Sequence, residues 1–146
     1  MKIYSCLDHT ADMAIEVYGK DLKSLFQNSA IALFDVMASS LEKAHRSEPQ
    51  EFKIRVEAVN QEELLVRWLG ELLSLSDWKR IVFQEFGVQE LSERSIRALA
   101  RGKPRRDYKI LTEIKAVTYH GLKIKKKTGD TPHKLFWMFN PAVCIL

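Results

Sequence analysis

The chain has 146 residues, 46% of them hydrophobic and 29% charged, with a formal net charge of +4 and a pI near 9.1. That length and balance suit one soluble domain over residues 1–146 with a real core, and exclude a disordered or collagen-like chain. Charges interrupt every apolar stretch before it reaches membrane-spanning length, and Met1–Cys6 lacks the apolar run of a signal peptide, so a cytoplasmic protein without membrane contact is expected. Cys6 and Cys144 sit near opposite ends, too few for a disulfide framework.

The first patterned segment is Met13–Tyr18, where Met13, Ile15 and Val17 alternate with Ala14, Glu16 and Tyr18 as on a half-buried strand ended by Gly19. Asp21 then opens a helix in which Leu22, Leu25, Phe26, Ala30, Leu33, Phe34 and Met37 recur at helical spacing. Residues 39–50 form a polar connection containing Pro49. In 51–59, Phe52, Ile54, Val56 and Ala58 alternate with Lys53, Arg55 and Glu57, a strand. Asn60 and Glu63 have capping-box spacing ahead of a second helix carrying Leu64, Leu65, Trp68, Leu69, Leu72 and Leu73, which ends near Ser76–Asp77. Residues 80–86 read as a strand.

Two later segments stay open on periodicity alone. Residues 94–101 fit a helix face through Arg94, Arg97 and Arg101, or a strand face through Arg94, Ile96, Ala98 and Ala100, with Gly102 and Pro104 ending the segment either way. Residues 113–121 fit a short helix capped by Gly121 or a β-branched strand. Residues 122–127, a Thr-Gly-Asp-Thr turn, 135–139 and 142–146 predict a closing hairpin, with Pro141 at a bulge or edge. The expected class is α+β: a single-domain sandwich with a mixed β-sheet and two main helices packed on one face.

Three constellations carry candidate chemistry. Asp8, His9, Thr10 and Asp12 crowd oxygen donors and an imidazole ahead of the first patterned strand. They suit an Asx-turn, part of a hard-cation site completed from elsewhere, or, less readily, a hydrolase with His9 as base, because neighbours on a strand face opposite ways. Thr118, Tyr119 and His120 precede Gly121 and suit either a pocket wall or a plain element end. The cations in 101–106 and 123–127 suit a solvated face or phosphate contacts, the second of which describes a free-standing basic RNA-binding module. No aromatic platform of the RNP type accompanies them, and Trp68, Trp78 and Trp137 are expected in the core.

Taken together, DHTADMAIEVYG (8–19), LFQNSAIALFDVM (25–37), NQEELLVRWLGELL (60–73), RALARGKPRRD (97–107) and EIKAVTYHGLKI (113–124) resemble the archease family. These are small protein cofactors of the GTP-dependent RNA ligase that seals tRNA exons. The resemblance implies a mixed α+β fold, a strand at 94–101, and a protein that is not itself an enzyme. It implies a partner, the tRNA-splicing RNA ligase, whose guanylylation and multiple turnover it promotes, and allows an indirect contact with tRNA. It also implies a divalent-metal site, typically Ca²⁺, held by Asp12, the penultimate residue and the terminal carboxylate; here those last positions are Ile145 and Leu146. The family places an acidic residue where Ile145 stands. An aliphatic side chain brings no oxygen, so weaker Ca²⁺ binding is expected unless Asp8 compensates.

Overall fold

In the computed structural model of the chain, the described residues are 3–7, 12–41, 47–118, 124–128, 135–139 and 142–145. Two helices and antiparallel strands make the α+β class expected from the sequence. The expected mixed sheet resolves into three antiparallel sheets among these residues. Every pairing among them is antiparallel, including those between strands far apart in the sequence, such as Asp12–Gly19 with Ala142–Ile145, Gln50–Glu57 with Ser95–Pro104 and Ala38–Ser40 with Tyr108–Ile110.

The largest sheet is built on β2 (Asp12–Gly19). On one side lies β1 (Tyr4–Leu7), a strand the alternation in the sequence did not announce, with Tyr4 opposite Val17 and Leu7 opposite Ala14. On the other side lie β10 (Leu135–Phe139) and β11 (Ala142–Ile145). Phe139 faces Val17 and Ala142 faces Ala14, so the two strands hold one register along β2. Beyond them pair β8 (Ile114–Thr118) with β11 and β9 (Ile124–Thr128) with β10. Residues 113–121 are thus a strand up to Thr118, not a helix, and β9 with β10 is the predicted hairpin.

The second sheet has the order β4-β6-β5, with β4 at Gln50–Glu57, β5 at Ile81–Leu91 and β6 at Ser95–Pro104. Here the 94–101 segment is a strand from Ser95 onward, and it runs on through Gly102 to Pro104 instead of stopping before them. Gly102 is buried, and a Cβ there would collide with the Val82 carbonyl and with Ile81, so glycine is what lets β6 pass this close to β5. A two-stranded ribbon three residues long pairs β3 (Ala38–Ser40) with β7 (Tyr108–Ile110), inside stretches that read as connections.

Both helices begin as their sequences direct. Asp21 Oδ1 accepts from the Ser24 amide at 2.7 Å and opens α1 (Leu22–Met37). Asn60 Oδ1 accepts from the Glu63 amide at 2.8 Å, and Glu63 Oε2 accepts from the Val59 amide, at the start of α2 (Gln61–Lys79). Helix α1 touches β2 and β10 of the large sheet and β5 of the small one; α2 touches β8 as well as β4, β5 and β6. Fully buried Phe26, Leu33, Leu64, Trp68, Leu72 and Phe83 fill the space between them, and the Trp68 indole N–H donates to the Phe26 carbonyl at 3.0 Å. Phe83 and Phe86 meet Phe34 at centroid distances of 5.6 and 5.9 Å, extending this core into β5. No helix among the described residues is long and apolar enough to cross a membrane.

Candidate functional site

The sequence pointed to the start of β2 and the end of the chain, and the backbone brings these together. Asp12 opens β2 directly opposite Cys144 of β11, and Cys144 is opposite Ala116 of β8. Ile145 follows across a register irregularity, opposite Ile114. Asp12 therefore stands within a strand instead of in the loop ahead of one, because its backbone is paired into the sheet. Asp8, His9 and Thr10, like Tyr119, His120, Gly121 and Leu146, lie outside the described residues. The same sheet keeps the cysteines apart: Cys6 faces Ile15 from one side of β2, and Cys144 faces Asp12 from the other. Two strand spacings of about 4.8 Å exceed the ~7 Å Cα reach of a disulfide.

The donor chemistry of this sheet end is thin. Asp12 brings one carboxylate, Cys144 a soft thiol, and Ile145 only a backbone carbonyl, whereas Ca²⁺ takes six to eight oxygens. Among the described residues no group of three or more His, Cys, Asp or Glu is placed to hold a metal. These residues do not by themselves fit the ion.

Beside this end lies a cleft of about 290 Å³, walled by Met37, Ser76 and Asp77 on the helical side and by Arg105, Glu113 and Ile114 on the other. Arg105 crosses it: its guanidinium is 2.6 Å from Glu113 Oε1 and 4.0 Å from Asp77 Oδ1, with the side chain 19% exposed. Partial burial strengthens that charge-assisted contact and fixes the guanidinium. Helix α2 ends at Arg80, which adopts the left-handed conformation at φ 57° and ψ 48°; its amide donates to the Ser76 carbonyl. The Ser76 hydroxyl donates to the Ile81 carbonyl, closing the turn into β5. The Arg80 carbonyl accepts from the Arg105 amide at 2.8 Å, which ties the end of α2 to the Arg105–Asp107 turn.

Asp107 in that turn is buried, and neither carboxylate oxygen has a hydrogen-bond partner among the described residues. Next to it, burial pushes the Tyr108 hydroxyl above its usual range, and the Asp107 carboxylate adds to the effect.

The archease-family resemblance extends beyond the quoted motifs to most of the chain. The sequence model of the Archease protein family (MTH1598/TM1083) matches residues 4–138. The chain belongs to the archease family. Among archease-family relatives, Protein archease of Methanosarcina barkeri is 42% identical over 136 residues, covering 88% of this chain and 90% of the relative. Protein archease of Methanosarcina mazei is 39% identical over 134 residues, with the same coverage. The solution structure of Methanobacterium thermoautotrophicum Protein 1598 superimposes with a TM-score of 0.73 at 26% identity, over 99% of each chain.

Two features escaped the sequence reading. Trp78, expected in the core, is 75% exposed. On α2 it continues the exposed stripe of Arg67, Glu71 and Ser74, at steps of four, three and four residues, and that spacing was the available signal. The meeting of Arg80 with Arg105 had no sequence signal, because it depends on β5 and β6 pairing across a bend.

Proposed function

We propose that this archease-family chain is a non-enzymatic protein cofactor of a GTP-dependent tRNA-splicing RNA ligase, promoting its guanylylation and repeated turnover. Family membership carries the reading, and the antiparallel pairing of Asp12 with Cys144 supports it. That pairing brings Asp12, the last residue of HTAD, beside β11 at one sheet end, where a single surface can meet the ligase. The reading assigns activation to protein–protein contact: Asp12, whose backbone is paired into the sheet end, brings a carboxylate suited to orienting a cationic group of the ligase. A Ca²⁺ ion at Asp12, Ile145 and Leu146 is part of the proposal only as a weak ligand, since the acidic penultimate donor is replaced by Ile145. No step of activation is routed through it.

The test is RNA ligation by the cognate ligase under single- and multiple-turnover conditions, with this protein, with Asp12→Ala, and without either. Acceleration by the wild-type protein that falls on Asp12→Ala supports the reading. No acceleration by the wild-type protein refutes the cofactor role, and full acceleration by Asp12→Ala refutes the role given to this sheet end.

A further inference from the structure

Two basic surfaces among the described residues differ in one physical respect. On the outer face of the small sheet, Arg55, Arg97 and Arg101 are each paired, with Glu57, Glu90 and Glu85 at 3.2 to 3.4 Å. Those charges largely cancel; a shallow groove beside them adds one lysine, Lys53, but no aromatic side chain on which a base could stack.

The other surface is the corner where α2 ends. There Lys79 and Arg80 from one stretch meet Lys103 and Arg106 from another, because the Arg105 amide bonds to the Arg80 carbonyl and Val82 pairs with Lys103. None of these four cations has a carboxylate partner among the described residues. Arg105, between them, is already committed to Glu113 and Asp77, so it braces the turn and leaves the others available. The buried Asp107 lies beneath the corner, and the exposed carboxylate of Asp77 borders it on the cleft side.

Trp78 precedes Lys79 and Arg80 at the end of α2, on the chain segment that forms this corner. Its ring is 75% exposed, with the Lys79 ammonium 4.3 Å from the ring centroid. A large indole held in water costs hydrophobic free energy unless something covers it. An acidic polypeptide would engage the cations but gain little from the ring. A chain that alternates flat bases with phosphates gains from both.

We propose that this corner binds single-stranded nucleic acid, with one base stacked on the exposed face of Trp78 and the neighbouring phosphates held by Lys79, Arg80, Lys103 and Arg106. The aromatic platform missing from the basic segments in sequence is supplied by the end of α2. This inference stands apart from the cofactor reading, and its test contains no ligase, so either can fail alone.

The experiment is fluorescence anisotropy of the full chain with a labelled oligouridylate, a DNA oligonucleotide of equal length, and labelled polyglutamate, over a range of salt. The variants are Trp78→Ala, the double variant Arg80→Gln with Arg106→Gln, and a control double variant, Arg55→Gln with Arg97→Gln. Thermal melts confirm that each is folded. The expected results are about a tenfold loss for Trp78→Ala and a salt slope shallower by roughly 1.4 for the corner variant. The control should bind as wild type. Tighter binding of RNA than of DNA assigns the natural ligand as RNA, and equal binding assigns the shared base-and-phosphate chemistry. The proposal is overturned if Trp78→Ala binds as wild type, if the control loses as much as the corner variant, or if polyglutamate binds as tightly as the oligonucleotides.

Discussion

Trp68→Phe tests how the core is held. Trp68 is fully buried, its indole N–H donates to the Phe26 carbonyl at 3.0 Å, and its ring meets Phe86 edge-on at 6.2 Å. Phenylalanine keeps one ring and loses the donor. The net value of that hydrogen bond is about 1 kcal/mol, the lower part of the range, because the Phe26 carbonyl also lies within α1, where the helix ladder can use it. The missing atoms leave a void of roughly 40 Å³, which at ~24 cal/mol per Å³ costs about 1 kcal/mol, and their lost transfer free energy adds a similar amount. The sum is about 2–3 kcal/mol, or a urea midpoint lower by roughly 1–1.5 M at a slope near 2 kcal/mol per M. Trp78→Phe, on the exposed stripe of the same helix, should move the midpoint by no more than about 0.5 kcal/mol equivalent. Equal effects at the two tryptophans, or a Trp68→Phe cost under ~0.5 kcal/mol, would refute the account of the core.

Asp21→Ala should cost about 1 kcal/mol at neutral pH by removing the α1 cap. The Ser24 amide holds the Asp21 carboxyl below its usual range, so the stabilisation is present above the ordinary aspartate value and is lost as pH falls through the depressed one. Paired melts of wild type and variant should therefore converge in acid. Gly102→Ala should destabilise by about 1–3 kcal/mol, since its Cβ meets backbone of Val82 that cannot move without parting β5 from β6. Gly87→Ala, with nothing near its Cβ, should melt within about 0.5 kcal/mol of wild type or slightly above it. Burial raises the Tyr108 hydroxyl, so its contribution is intact below about pH 10 and lost as pH rises through the higher folded value. Tyr108→Phe should accordingly flatten the alkaline limb of the stability profile measured by denaturant melts.

Sequence by itself determined the elements whose signals are local. The Asp21 and Asn60 caps, the helical stripes of α1 and α2, and the alternation in β2 and β4 each depend on residues a few positions apart. Together with the quoted motifs, they were enough for the fold class and the family. Tertiary structure decided whatever depended on distant backbone. Residues 95–104 and 114–118 are strands because β4, β5 and β11 offer ladders to pair with, an outcome that local periodicity leaves balanced between helix and strand. Asp12 meets Cys144 because one strand register spans the two ends of the chain. Trp68 and Trp78 are ten positions apart on one helix, and their opposite fates follow from which side of α2 faces the sheets. Lys79 and Arg80 join Lys103 and Arg106 only where β5 and β6 close on the end of α2. Charge along a sequence says how many cations there are; folding decides which of them are cancelled by carboxylates and which are left facing water beside an indole.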